Sequence, residues 1–428
     1  MNFNVKKAAL GALRHFPMLR VLTRKAYYGK QERAYRKLAA STPTDAKMVF
    51  FESFGGRQYA CSPRAIYEAM CADPRFDSYR FVWSYHPEAP ESLHHLPQMD
   101  RAATVVRGSR EYWEASAKSG TWIVNTRMPE YFFPKSDQTY VQCWHGTPLK
   151  RLGFDVPRLD GALNTAEELA GRFKLDSGKW SYLVSPSPYT SLHLADAFGL
   201  PKERRADVVL EQGYPRNDRI VRESHDPEAV AALRREICAR LGLDPEKKLL
   251  LYAPTWRDDC FKAGLGYVME DTMLDFHALQ REFADEWCIL FRAHYYIANE
   301  FDFSAFKGFV GDASKGVDIN DLYIVADALL TDYSSVFFDY ANTGRPMMFF
   351  WPDFDHYAND LHGFYFDLTE LPGPQCKSMD QVIDAIRDFD GYQKRYGQSY
   401  ARFTQKFCPL DDGHAAERVI DAVFGTGK

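Results

Sequence analysis

Two hydroxyls and a carboxylate stand together in Thr331-Asp-Tyr-Ser-Ser-Val-Phe-Phe-Asp339, directly after the apolar run Asp327-Ala-Leu-Leu330. Val336, Phe337, Phe338, Tyr340 and Ala341 then begin a helix-like face. Asp332, Ser334 or Ser335 falls at or near the helix start, where unpaired backbone N–H groups and the helix dipole favour an anion. An ordinary N-cap accounts for the same residues, so a phosphate site requires that other chemistry converge there.

Three further turns bring such chemistry. Trp144-His-Gly-Thr-Pro-Leu-Lys150 places His145, a histidine able to act as general base for a hydroxyl, beside Gly146, with Thr147, Lys150 and Arg151 close behind. Arg292 and His294 are two residues apart, so an extended strand aims both at one face, an arrangement suited to a phosphoryl group gaining charge. Thr255, Trp256 and Arg257 supply a hydroxyl, a stacking surface and a fixed charge in succession. Each turn alone has a bland explanation: a structural histidine, a solvated cation pair, or a turn around a packed tryptophan. The neighbouring Asp258-Asp259 pair is weak evidence for a metal, and no cluster of ligands demands one. Neither G-x-x-x-x-G-K-[ST] nor G-x-G-x-x-G follows a strand.

The elements that must hold these turns are apolar runs alternating with helical stretches. Strands are expected at Met48–Glu52, Phe81–Tyr85, Ala103–Val106, Trp122–Asn125, Tyr140–Cys143 and Tyr182–Ser185, and in a second series at Leu249–Ala253, Cys288–Ala293, Ala328–Thr331 and Pro346–Phe350. Helices fit at Pro63–Ala72, Ser109–Lys118, Thr190–Phe198 and Pro227–Leu241. The alternation predicts an α/β protein with two doubly wound, mostly parallel sheets, and all four turns lie at strand carboxyl ends, where such sheets bind ligands.

Length and composition agree: 428 residues with 46% hydrophobic content suit two globular domains. No apolar run reaches about 18 residues and no signal-peptide pattern opens the chain, so a cytoplasmic location is expected. Eight cysteines without a C-x-x-C pair argue against a disulfide framework or a zinc cluster. Residues 1–37 carry ten Lys and Arg against Glu32 alone, interleaved with apolar side chains and interrupted near Pro17. Such a segment suits an anionic membrane surface, or else a helix packed on the main body. No basic patch with interleaved aromatics continues it, so nucleic acid is not expected as a partner.

Taken together, Trp144-His-Gly-Thr-Pro-Leu-Lys-Arg-Leu-Gly153, Tyr252-Ala-Pro-Thr-Trp-Arg257, Asp318-Ile-Asn-Asp-Leu322, Thr331–Asp339, Gly363-Phe-Tyr-Phe-Asp367 and Pro372-Gly-Pro374 resemble, in order and spacing, the blocks of the CDP-glycerol glycerophosphotransferase family. That family holds teichoic-acid primases and polymerases with ribitol-phosphate and capsule relatives. The resemblance implies a GT-B arrangement with the active site between two domains: a basic amphipathic segment at 1–42, an acceptor-side domain at 43–222 and a donor-side domain at 223–428 with the C-terminal helices. It implies a CDP-glycerol or CDP-ribitol donor with its pyrophosphate against Ser334 and Ser335, and a polyprenyl-linked acceptor whose hydroxyl attacks the β-phosphorus and releases CMP. His145 is then the candidate base and His294 the group that stabilises phosphate charge. Trp144, Gly146, Thr147, Lys150, Thr255, Trp256, Arg257, Arg292, Thr331, Asp332, Asp339, His362 and Gly363 are the substrate-binding candidates. The protein would work peripherally on the inner face of the cell membrane, with no firmly implied cofactor. Two positions depart from the pattern: Tyr295 follows R-x-H in place of proline, and His362 replaces the arginine of R-G-F-Y, a titratable group for a permanent cation. A GT-B glycosyltransferase using a nucleotide sugar, and a non-catalytic membrane-associated nucleotide-binding module, are the competing readings.

Overall fold

The computed structural model describes residues 17–89, 100–156, 166–255, 261–262, 266–267, 274–293, 301–352 and 363–426. The first sheet contains β1 (Asp45–Glu52), β2 (Arg80–Tyr85), β3 (Ala102–Val106), β4 (Ser119–Val124), β5 (Thr139–Gln142), β6 (Tyr182–Ser185) and β7 (Val209–Glu211), in the order β3-β2-β1-β4-β5-β6-β7. Every pairing in it is parallel. β8 (Lys248–Ala253) opens the second series, followed by a short antiparallel pair, β9 (Phe261–Lys262) and β10 (Gly266–Tyr267). The second sheet adds β11 (Trp287–Phe291), β12 (Val310–Asp312), β13 (Ala328–Thr331), β14 (Met347–Phe350) and β15 (Gln375–Cys376), in the parallel order β12-β11-β8-β13-β14-β15.

Both sheets are buried on two faces, which is why their strands read as apolar runs rather than alternations. In β1, Val49 and Phe51 pack with the helix Cys61–Ala72, while Phe50 packs with Tyr112 and Trp122 on the other side. In β8, Leu249, Leu251 and Ala253 enter one cluster and Leu250 and Tyr252 another. The helix Pro227–Leu241 spans the predicted residues: the Asp226 side chain accepts from Glu228 N and Ala229 N, and Gly242 ends it in the left-handed region. β11 stops at Phe291, so Arg292 and Ala293 lie just beyond the strand that was expected to include them.

The last helix, Ala415–Phe424, returns to the first sheet. Val419 and Ile420 pack with Val49 and Phe51, and its free N-terminal amides donate to Asp218, from Ala415 N at 2.9 Å and Ala416 N at 2.7 Å. We therefore propose keeping the division near residue 222 for the two sheets, with this helix counted with the first.

At the other end, a helix runs from Pro17 to Ser41. Its later part packs inward, with Tyr35 buried and stacked on Phe132 at 4.2 Å between centroids. Its earlier part is tied by Arg24 to Glu130 at 3.0 Å and leaves Val21, Leu22 and Tyr27 exposed. Residues 1–16 of the basic segment lie outside the described residues.

Candidate active site

His145 sits three residues past β5 on a turn that starts with Trp144 in the left-handed region, at φ 48°. That conformation is strained for a tryptophan and is held by Gln142, whose side chain accepts from Trp144 N at 3.0 Å and donates to Thr126 O at 3.2 Å. The result aims the imidazole at the end of β4, where His145 Nδ1 lies 2.8 Å from Asn125 O. A carbonyl only accepts, so Nδ1 carries the proton and Nε2 keeps a lone pair. Burial pulls the imidazole pKa down to about 4; the carbonyl bond raises it in part and the Arg216 charge lowers it further. His145 is thus neutral at pH 7, with one basic nitrogen in a fixed orientation. Phe54 and Trp144 flank the ring at centroid distances of 5.6 and 4.1 Å.

Gly146 brings this turn against the second sheet. A Cβ built on it would lie 3.2 Å from Ser335 Oγ, so the glycine is what lets the two strand-end segments approach so closely. Ser335 precedes the helix Val336–Tyr340 without a side-chain cap bond, and Ser334 Oγ accepts only a long bond, 3.4 Å, from Val336 N. The helix is five residues long, so its dipole is a minor contribution and the serine hydroxyls matter more. The histidine and serine motifs, 190 positions apart in sequence, meet across the cleft.

The other residues of that stretch hold it in place. Thr331 Oγ1 donates to Ala253 O at 2.7 Å, and Asp332 accepts from Thr255 N at 2.7 Å and from the Thr255 hydroxyl. These bonds fasten the exits of β8 and β13 together, so Thr331, Asp332 and Thr255 position the two strand ends at the candidate site. Asp339 is likewise engaged: Arg216 Nε and Nη2 each donate to it at 2.9 Å, and Asn217 Nδ2 does so at 3.2 Å. Arg292 Nη1 donates to Ala313 O and, at 3.0 Å, Val317 O.

A second crossing joins two of the sequence blocks. Lys150 pairs with Phe364 in an antiparallel bridge, Arg151 N donates to Gly363 O at 3.2 Å, and Tyr365 N to Leu149 O at 3.0 Å. The Tyr365 hydroxyl donates to Asp155 at 2.6 Å. The Asp318–Leu322 block also ties the sheets' helices together: Asp318 pairs with Arg64 at 3.1 Å, Asp321 with Arg219, and Asn320 donates to Arg216 O at 2.6 Å. Thr147 is buried beside the histidine. Trp256, Arg257, His294 and His362 lie outside the described residues.

Comparison with known proteins decides the family. The family model for CDP-glycerol:poly(glycerophosphate) glycerophosphotransferase matches residues 34–425. The chain belongs to that family. It is 39% identical over 390 residues to a teichoic acid poly(glycerol phosphate) polymerase of Bacillus subtilis strain 168, covering 90% of this chain and 50% of that one. It is 35% identical over 389 residues to a teichoic acid glycerol-phosphate transferase of Staphylococcus aureus strain NCTC 8325, covering 91% of this chain and 95% of that one. The chain thus spans about half of the first relative and nearly all of the second. Among solved structures, the wall teichoic acid polymerase TagF, in a variant soaked with CDPG, superposes with a TM-score of 0.82 at 34% identity, over 96% of this chain and 97% of that one. The glycerophosphotransferase family's GT-B architecture is the one the two sheets adopt.

In this glycerophosphotransferase family member the residues missing from the sequence reading are those that surround and orient His145. Asn125 orients His145 through its backbone carbonyl, a role open to any residue type and so without a sequence signature. Arg216 is buried, 3.6 Å over the ring of Tyr214, whose hydroxyl donates to Gly146 O at 3.3 Å. Gly213-Tyr-Pro-Arg-Asn217 was the available signal: an arginine in a proline-fixed turn at the exit of β7.

Proposed function

We propose that this chain transfers glycerol phosphate from CDP-glycerol to a hydroxyl of a polyprenyl-linked acceptor and releases CMP. The observation that carries the reading is the approach of the His145 turn to Ser335, which brings the turn of a neutral histidine against a serine hydroxyl where strand ends of the two sheets meet. In this reading Ser334 and Ser335 hold the donor pyrophosphate. The Nε2 lone pair of His145 takes the proton of the acceptor hydroxyl as its oxygen attacks the β-phosphorus; the bond to the CMP oxygen breaks and CMP leaves with the electron pair. His294, Arg257 and His362 remain candidates for the charge that develops on phosphate. Both relatives named above are glycerol-phosphate enzymes by name, which favours glycerol over ribitol phosphate.

The acceptor is brought by a membrane. Residues 1–37 are basic, and Val21, Leu22 and Tyr27 are exposed on the helix Pro17–Ser41, which supports peripheral attachment to an anionic inner membrane face. Among the described residues no helix is long and apolar enough to cross a membrane.

The test is ligand choice followed by turnover. CDP-glycerol should raise the thermal unfolding temperature more than CDP-ribitol or a UDP-sugar, because a ligand of the folded state stabilises it by mass action. CMP should then appear only when a lipid-linked acceptor is added. Stabilisation by UDP-sugars alone would return the protein to the glycosyltransferases, and binding of CDP-glycerol without CMP release would make it a binding module.

A further inference from the structure

Two guanidiniums meet over one glycine at the carboxyl end of the first sheet. A Cβ placed on Gly55 would lie 3.4 Å from Arg57 Nη1 and 3.8 Å from Arg107 Cζ and Nε, and the glycine's φ of +63° keeps that space free of a side chain. Arg107 Nε sits 3.3 Å from both oxygens of Glu52, a buried carboxylate that also accepts from Ser84 at 2.5 Å. That offsets one charge. Arg57 is exposed and has no carboxylate partner among the described residues; its Nη2 lies 3.4 Å from His86 Nε2. The other ring nitrogen of His86 faces Glu88 N at 3.2 Å, with the exposed Glu88 carboxylate 3.9 Å away. A neutral imidazole has one acceptor nitrogen, yet this one faces an N–H donor on each side. An anion between Arg57 and His86 resolves the mismatch, since it accepts from both.

The position of this cluster says which anion. The Phe54–Arg57 loop is pinned to the His145 site, with Phe54 N donating to Asn125 Oδ1 at 2.8 Å and Gly55 N to Thr126 Oγ1 at 3.1 Å. In the strand order, the exit of β1 is two strands from that of β5, about 10 Å along the acceptor-side sheet. We propose that Arg57, His86 and Arg107 form a subsite for a phosphate in the tail of the acceptor, holding it while the terminal hydroxyl reaches His145. The inference rests on the polyol-phosphate transfer reading. The ligand is a phosphate ester or diphosphate, borne either by polyol-phosphate units or by the lipid carrier.

The test uses the full chain and two lipid-diphosphate acceptors, one bare and one carrying two polyol-phosphate units. Arg57→Ala should raise the KM of the responding acceptor about ten-fold, the loss of one charge-assisted bond, and Arg57→Glu should raise it further. Arg57→Lys should recover part of the loss, while kcat and the KM for CDP-glycerol stay unchanged. A response from the tailed acceptor alone assigns the subsite to polyol phosphates; an equal response from both assigns it to the carrier diphosphate. An acceptor KM unmoved in both Arg57→Ala and Arg57→Glu overturns the proposal. Calorimetric binding of a short polyol-phosphate oligomer to wild type and Arg57→Glu reads the subsite without turnover. Failure of CMP release in wild type would sink the transfer reading and leave a weaker binding by the variant standing.

Discussion

Replacing Asp339 by alanine removes the carboxylate that holds Arg216, a cation that is only 5% exposed. The wild-type pair makes two bonds of 2.9 Å in the parallel geometry of a guanidinium and a carboxylate, and it joins the turn after β7 to the helix after β13. Breaking a buried pair from one side costs about 3–5 kcal/mol because the remaining charge stays desolvated. The face of Tyr214, 3.6 Å from the guanidinium, keeps part of the compensation and sets the expectation near the lower end, about 3 kcal/mol. Arg216→Met should cost a similar amount, whereas Arg216→Met with Asp339→Ala should cost about 4 kcal/mol against a sum of about 6, a coupling of about 2 kcal/mol. Urea unfolding of the four proteins at pH 7.5, followed by tryptophan fluorescence, measures this. Losses below about 1 kcal/mol, as for an exposed pair, or strictly additive losses would refute the claim that this ion pair locks the two sheets together.

Other consequences follow from the same geometry. Because the folded-state pKa of His145 is about 4 against 6.5 for the free side chain, the acid limb of kcat/KM should fall near pH 4 rather than 6.5. The same shift affects stability: the folded state resists protonation, so the His145 contribution is complete above about pH 6.5 and is lost as pH falls towards 4. His145→Gln should flatten that part of a stability profile measured by thermal unfolding. Gly146→Ala adds a carbon 3.2 Å from Ser335 Oγ and should raise the KM for CDP-glycerol about ten-fold with an unchanged circular dichroism spectrum; an unchanged KM would mean that the turn and the serines do not share a ligand. Deleting residues 1–28 should reduce binding to anionic vesicles and lower the unfolding temperature only slightly, through loss of the Arg24–Glu130 pair, whereas deleting 1–37 should lower it much further, since Tyr35 is buried against Phe132. Equal vesicle binding by full-length and 1–28-deleted protein would return that segment to a packing role.

The strands were legible because a doubly covered parallel sheet writes itself as short apolar runs, and Tyr182–Ser185 and Ala328–Thr331 fall on the predicted residues. β7, β12 and β15 were not, since strands of two or three residues at or near an edge bury too little to leave a pattern. At the candidate site, hydroxyl, histidine and glycine at strand exits pointed to the His145 and Ser335 turns, which the fold brings together. What the types alone could not tell was which polar groups face the cleft and which hold the frame. Thr331, Asp332, Asp339 and Arg292 are polar residues of the same sequence blocks or strand exits, and their bonds go to neighbouring turns, a choice made by tertiary geometry. Asn125 and Arg216 escaped for the converse reason, acting through a backbone carbonyl and through a partner far away in sequence.

The central claim is that His145, kept neutral by burial, oriented by Asn125 O and carried on a turn set against Ser335, takes the proton from the acceptor hydroxyl. Single-turnover CMP release from CDP-glycerol with a lipid-linked acceptor, compared between wild type and His145→Gln, tests it most directly. His145→Gln should release CMP about 10²–10⁴-fold more slowly with donor affinity retained, the loss expected for a general base. A variant that releases CMP at the wild-type rate would contradict it.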